Sequence, residues 1–548
     1  MGGEMNPHHL FGPLLHFLEK REGLLRVHGL KGSSPAFLLS RIFGQAPGPL
    51  VVIAADEEKA DRLYQELLFF IGQDESVFLY PSWEVKPFER ISPQADAMGQ
   101  RWSVRSRLLS NPEKLILVAP LRAVLQRVPP RGLHSIQAFS LSPDQEFRRE
   151  ELIRRLEGMG YSRTSLVTEV GEFAVRGFLV DLFPPSTPGP VRIEYSGDTV
   201  DSVRLFDPES QRSSEALEEA VILPVKEVLL YPESFEGAAR KLSARQQEDP
   251  SLQDSARQLL ERIRQGIPFP GLEFFLPYFY PALDTFFDFL SPRTTLFLED
   301  PSEIGEELSR FWEEAEDAWQ NALSREELWP APGEIFLKEE EFQEWGRYYP
   351  RIAFELLEAG EEGEHLRLDT LSNERLRSEL LSSKSEEGIL QLLAQRIRTG
   401  REKGVVTLLA CFSLRSAQRL AEMLEKHDLS VQILDKPFSD WRPADSEEWE
   451  VTLLIGNLSR GFGFPPAGLA LITETELFGE KQLRKRPAVS MKDHALAAFS
   501  DLQVDDYVVH TEHGIGIYRG LWKLHLGKEE HDFLLLEYQD GDKLYLPV

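Results

Sequence analysis

Apolar residues in the first 135 positions occur in two alternating textures. Short continuous runs, Leu50-Val51-Val52-Ile53-Ala54, Val77-Phe78-Leu79-Tyr80 and Leu115-Ile116-Leu117-Val118, read as strands buried on both faces. Between them, residues 56–70 place Ala60, Leu63, Leu67 and Phe70 at helical spacing, and residues 36–43 suit a short helix. Strands separated by helices predict a parallel sheet covered on both sides, assigned to residues 1–137.

A second texture occupies residues 138–224. Ser142-Pro143-Asp144-Gln145 has the cap, first-turn proline and glutamine of a capping box, predicting a helix that buries Phe147, Leu152, Ile153 and Leu156 and ends by Gly158 or Gly160. Short strands follow over residues 164–169, 172–183, 191–195 and 199–206, with reversals at Gly171, Gly189 and Gly197-Asp198. Alternation across these strands sends Arg176 and Arg192 to the face opposite Phe173, Val175, Val191 and Ile193, so both arginines are expected to project outward. The block reads as a small antiparallel sheet inserted into the first α/β domain.

The α/β texture resumes over residues 225–374, with a buried strand at Thr295-Leu296-Phe297-Leu298-Glu299 and an acidic, helical stretch over residues 305–385. Residues 375–480 form a second, smaller α/β domain with strands at 405–410, 431–434, 451–455 and 469–473 around a helix at 415–427. Nothing in it points to a site. Residues 481–500 open with the basic run Lys481-Gln482-Leu483-Arg484-Lys485-Arg486 and read as a linker. Residues 501–548 are all β, with strands at 507–510, 515–518, 533–538 and 543–546, and glycine corners at Gly514 and Gly516 expected in a small bent barrel. That pattern stops directly after a strand, so the barrel is expected to be cut short.

At 548 residues the chain has room for about three or four domains. A formal charge of −29 argues against broad phosphate binding and suits docking onto basic protein partners. Cys411 is the single cysteine, so no disulfide forms within the chain and a reducing cytoplasm is expected. The N-terminus lacks a signal-peptide pattern, and the greasiest segment, residues 274–290, is broken by Pro277, Pro281, Asp284 and Asp288. A soluble protein with no membrane partner is expected, and that segment reads as buried core. Trp83, Phe88 and Trp102 also read as core.

The candidate chemistry is one of loss. Gly29-Leu30-Lys31-Gly32-Ser33-Ser34-Pro35-Ala36 lies in register on the phosphate-binding loop G-x-x-x-x-G-K-[ST]. Where that loop needs Gly, Lys and a hydroxyl, the chain has Ser34, Pro35 and Ala36. Pro35 removes the charge that meets the β/γ-phosphates and one cradle amide, and Ala36 removes the Mg²⁺ ligand. No catalytic residue, metal site or cofactor is expected in this chain.

Three segments carry a resemblance to a known family. They are Gly171-Glu172-Phe173-Ala174-Val175-Arg176-Gly177 running into Val180-Asp181-Leu182-Phe183-Pro184, then Val203-Arg204-Leu205-Phe206-Asp207-Pro208-Glu209-Ser210-Gln211-Arg212, then Asp506-Tyr507-Val508-Val509-His510 with Glu512-His513-Gly514-Ile515-Gly516. In this order they resemble the N-terminal half of the bacterial transcription-repair coupling factors, over nearly the whole chain. The resemblance implies a degenerate RecA/UvrB-like domain that has lost ATPase function, an inserted UvrA-binding domain, and an SH3/Tudor-like, CarD-like module that binds the RNA polymerase β subunit. It implies UvrA contacts at Arg176 and Arg192, with Tyr195-Ser196 standing where the family has a phenylalanine pair. It places an apolar polymerase contact at Leu524. Glu299-Asp300 stands, transposed, where UvrB carries an Asp-Glu metal pair. ATP, Mg²⁺ and duplex DNA would be handled by a translocase elsewhere in the full-length factor. Two other readings compete: a UvrB-like, damage-binding ATPase and a CarD-like transcription regulator.

Overall fold

The three apolar runs become strands of a seven-stranded, wholly parallel sheet. The computed structural model describes residues 7–72, 76–110, 112, 114–248, 253–355, 363–382, 385–434, 438, 448–479, 507–510, 514–526, 529–538 and 543–547. The spatial order is Glu364–Arg367, Leu24–His28, Arg351–Glu355, Thr295–Glu299, Leu50–Ala54, Ile116–Pro120, Val77–Leu79. Every residue of Leu50–Ala54 and of Ile116–Pro120 is buried. Val51 and Ile53 join one core, Leu50, Val52 and Ala54 the other, as the period of two requires. The helix Glu57–Ile71 starts where expected, Asp56 Oδ1 accepting the Lys59 N–H at 2.9 Å.

Two strands of this sheet come from the stretch expected to be helical. Arg351–Glu355 and Glu364–Arg367 flank Leu24–His28 on either side. Their polar residues are consumed across strands. Arg26 pairs with Glu355, and the His28 ring stacks on His365 with centroids 5.3 Å apart. Charge at alternate positions interrupts the apolar run by which a buried parallel strand is recognised. The helix Pro301–Ser324 accounts for the acidic, Trp-rich part.

The insertion leaves and re-enters through a two-stranded stem, Phe139–Leu141 against Ala220–Ile222. It contains a six-stranded sheet in sequence order: Ser162–Arg163, Glu172–Arg176, Leu179–Leu182, Val191–Ser196, Thr199–Phe206, Ser213–Ala216. Its pairs are antiparallel except the first. The helix expected beside Ser142 begins at Arg149 instead. Gln145 does accept the Ser142 N–H at 2.9 Å, but Asp144 is left-handed (φ +65°) and its N–H donates to Val200. The motif makes a turn pinned to the sheet. Residues 164–169 likewise form a loop, because Glu172 Oε2 accepts the Thr168 and Glu169 N–H groups at 2.8 and 3.0 Å.

Where the chain returns from the insertion it carries a fully buried ion network that no periodicity betrays. Glu227 meets Arg101 (3.1 Å) and Arg105 from one helix and accepts the Trp83 indole N–H at 2.8 Å. The two guanidinium groups outweigh burial and hold its carboxyl down at about 2. Trp83, Phe88 and Trp102 are core residues, and the segment from Leu272 to Phe289 packs into the same interior.

The second α/β sheet runs Leu371–Ser372, Phe462–Phe464, Leu469–Thr473, Val406–Cys411, Val451–Ile455, Val431–Leu434. Its last four strands are parallel, and the helices Glu386–Glu402 and Leu414–Glu425 pack on it. It lies within the compact unit Met1–Gly479. The basic stretch at 481–487 lies outside the described residues.

Glu480–Val548 is the other unit. Its four strands form an antiparallel meander, Tyr507–His510, Gly514–Leu526, Glu529–Glu537 and Lys543–Pro547. The second strand is far longer than the expected 515–518. It shifts register between Tyr518 and Leu521, at left-handed Gly520 (φ +97°), so the bend falls there instead of at Gly514 or Gly516.

Candidate functional site

The degenerate loop has the expected order of strand, loop and helix, Leu24–His28 leading through residues 29–33 into Ser34–Phe43. Its amides are turned onto the chain itself. The Lys31 N–H meets Ser34 Oγ at 2.9 Å and Thr370 Oγ1 at 2.7 Å, and the Thr370 hydroxyl donates to the Gly29 carbonyl at 3.0 Å. The Ser33 N–H donates to the Arg460 carbonyl at 3.3 Å. Gly29 (φ +88°) and Gly32 (φ +57°) hold the loop in shape. A Cβ at Gly29 would lie 2.9 Å from the Leu368 carbonyl oxygen, and one at Gly32 would collide with the Gly461 carbonyl. Pro35 sits in the first turn of the helix; Ser34 and Ala36 are buried. The space over the loop is therefore filled by residues 368–370 and 460–461, the latter from the loop that leads into the strand Phe462–Phe464.

The filling extends into a joint between the two sheets. Phe37 packs against Phe438, Phe462 and Phe464, with the Arg41 guanidinium 5.1 Å from the Phe37 ring centre and 4.9 Å from that of Phe438. Glu66 is buried here and accepts the Ser459 hydroxyl; burial pushes its carboxyl up to about 7. The transposed acids have structural work. Asp300 caps the helix Pro301–Ser324, accepting the Ser302 and Glu303 N–H groups, while Glu299 pairs with Arg62 at 2.9 Å.

On the inserted sheet the three candidate residues part company. Arg176 is exposed and donates to the Ser165 carbonyl. Arg192, on the same face, is not free: its side chain is 13% exposed and chelates Asp181 at 2.7 and 2.9 Å. Its guanidinium also lies 4.9 Å from the Phe206 ring centre and donates to the Gln211 carbonyl. The loops at 164–169 and 207–213 cap this face around Val167, Ala174 and Phe206, a second small core that strand alternation alone does not reveal. Tyr195 points the other way, into the core beside Ile193, and burial raises its hydroxyl to about 12.

Residues 139–228 match the family model described as the UvrB interaction domain, residues 405–477 the MFD D3 domain, and residues 502–548 the CarD-like/TRCF RID domain. The transcription-repair-coupling factor of Myxococcus xanthus is 36% identical over 544 residues, 96% of this chain and 44% of that protein. Those of Bacillus subtilis and Escherichia coli are each 28% identical, over 95% and 97% of this chain. By its domains and their order, the chain is similar to the transcription-repair coupling factors over nearly its whole length. It spans less than half the length of these relatives.

The terminal unit carries the last candidate residue. Leu524 lies in the long strand opposite His531, and among the described residues Leu521–Leu526 is paired on one side only. Sequence reading missed three things: the plugging of the loop, the Asp181 partner of Arg192, and the hairpin tip beyond Arg176. The last had a signal, since Arg176-Gly177-Phe178-Leu179 is the Gly-X pattern of a two-residue hairpin turn. No helix among the described residues is long and apolar enough to cross a membrane, and none of their His, Cys, Asp and Glu side chains cluster as a metal site.

Proposed function

We propose that this chain is the docking half of a transcription-repair coupling factor, recruiting UvrA through the inserted sheet and holding RNA polymerase through the C-terminal sheet. The observation that carries the reading is the succession of three matched domains, at 139–228, 405–477 and 502–548. Arg176 is the exposed UvrA contact, and Arg192 shapes the same face through Asp181. Leu524 belongs to a stretch paired on one side among the described residues, suited to extending a sheet of the polymerase β subunit by backbone hydrogen bonds. The four-stranded meander is SH3/Tudor-like, and the first sheet is a RecA/UvrB-like nucleotide fold whose loop is retired.

The loop takes neither ATP nor Mg²⁺ in this reading. Ser34, Pro35 and Ala36 supply no phosphate charge partner or metal ligand, and the Lys31 and Ser33 amides already have acceptors. ATP-driven translocation on duplex DNA, in the cytoplasm, is a task of the whole factor. Titration of the 548-residue chain against purified UvrA and purified polymerase β subunit tests the reading. Arg176→Ala should weaken UvrA binding alone, and Leu524→Arg polymerase binding alone, since a buried unpaired guanidinium is costly. Failure of the unaltered chain to bind either protein would overturn it.

A further inference from the structure

We infer that Phe178, at the tip of the hairpin beyond Arg176, is the aromatic anchor with which this chain engages UvrA. The inference rests on the reading of the inserted sheet as the UvrA-binding surface and adds to it a residue and a chemistry. Phe178 is 71% exposed, and among the described residues it is the one phenylalanine left on the surface. A ring so placed gains nothing for folding, because it stays in water in both states.

The backbone that carries it is held firmly. Arg176 pairs with Leu179 across a two-residue turn in which Gly177 alone is left-handed (φ +59°), the pattern of a type II′ hairpin. The Gly177 carbonyl accepts Arg149, and the Phe178 carbonyl accepts the Tyr195 N–H at 2.9 Å. Both peptide oxygens of the tip are thus engaged while the ring is free. A rigid backbone presenting an exposed aromatic side chain has little entropy left to lose on binding. Tyr195, which the sequence suggested as the aromatic contact, is buried in the sheet's own core, so the exposed aromatic group at this end is Phe178.

The flanking charge defines what it fits. Arg176 is exposed two residues before Phe178, and Arg149, itself paired with Glu150 at 3.0 Å, holds the Gly177 carbonyl of the tip. The complementary surface on UvrA is an apolar pocket bordered by carboxylates, which Arg176 reaches as Phe178 enters.

Affinity of the 548-residue chain for purified UvrA decides the matter. Phe178→Ala should weaken binding about 30-fold, as loss of an aromatic hot spot does, with thermal stability unchanged. Phe178→Trp should restore it, which a merely structural turn residue would not require. If Arg176→Ala weakens binding while Phe178→Ala binds like the unaltered chain, the anchor is wrong and the surface is right. If neither substitution matters, the surface itself is wrong and the anchor falls with it.

Discussion

Gly32 and Gly177 share almost the same left-handed backbone, at φ +57° and +59°, yet they live in opposite surroundings. Gly32 is walled in by the Gly461 carbonyl, whereas nothing lies within 4 Å of a Cβ at Gly177. One turn belongs to a loop that is filled by its own chain. The other belongs to a hairpin that the chain leaves bare, with an arginine and a phenylalanine facing water. The contrast shows what a left-handed glycine can serve. Backbone amides in a tight loop need acceptors. Ser34, Thr370 and the Arg460 carbonyl supply them around Gly32, so that turn becomes part of a joint. The turn at Gly177 is left at the surface.

The sharpest way to break this comparison is to put a methyl group at each glycine. Gly177→Ala should cost about 1–2 kcal/mol, the strain of a left-handed non-glycine residue. Gly32→Ala carries the same strain and must also displace backbone at Gly461, so a loss above about 4 kcal/mol is expected. Urea unfolding of the two variants measures both. Equal losses would mean that the joint yields easily and that the loop is not truly filled.

The two arginines extend the comparison within the inserted sheet. Arg192→Ala leaves Asp181, 1% exposed, without its chelating partner, and should destabilise the chain by about 3 kcal/mol. Arg176→Ala should change stability by no more than about 0.5 kcal/mol, because its side chain is exposed. A binding defect in Arg192→Ala therefore counts only if its fold is shown intact. If Arg192→Ala melts like the unaltered chain, the Asp181 pair contributes nothing and Arg192 is free to act outward.

Much of this molecule was legible in its residues, and the gaps have a common cause. Continuous apolar runs located Leu50–Ala54 and Ile116–Pro120, because a strand buried on both faces has no other way to be written. Leu24–His28 and Arg351–Glu355 escaped because Arg26 pairs with Glu355 and His28 with His365 across strands, and pairing is invisible to periodicity. The departure from a phosphate-loop pattern at Ser34, Pro35 and Ala36 is plain in the sequence. The filling of the loop is not, since Thr370 and Arg460 are more than three hundred residues away in sequence. Arg192 fell on the predicted face, but a second small core around Phe206 had closed over it.

Glu66 offers a gentler probe of the joint. Burial raises its carboxyl from the ordinary value near 4.5 to about 7, opposed by the Ser459 hydroxyl and by Arg62 and Arg460, with Glu299 adding repulsion. A raised folded-state pKa means that the fold binds the proton more tightly than the unfolded chain does. Stability is then complete below about pH 4.5 and is lost as pH rises through 7, levelling off above it. Between pH 6 and 8 the loss should be about 1 kcal/mol. Glu66→Gln, which keeps the bond to Ser459 without a charge, should remove that slope. If the slope survives the substitution, another group governs the joint at neutral pH.

The smallest expected effect is the most telling about the loop. Ser34→Gly, Pro35→Lys and Ala36→Thr together restore the residues of a phosphate loop, and calorimetry with Mg²⁺-ATP should still detect no binding. Charge and a metal ligand are only part of what such a loop supplies. Its backbone N–H groups must face the phosphates, and here the Lys31 amide is committed to Ser34 and Thr370 and the Ser33 amide to Arg460. Removing the Ser34 hydroxyl takes away one acceptor of the Lys31 N–H and leaves the other, Thr370, in place. A nucleotide would have to expel residues 368–370 and 460–461 and reopen the aromatic joint around Phe37, all before its first phosphate contact. Pro35→Lys alone, which leaves buried Ser34 and Ala36 untouched, guards against a triple variant that fails to fold. Micromolar, Mg²⁺-dependent binding by either folded variant would show that the cradle remains open behind its substitutions, and that the loop was silenced by chemistry without being filled.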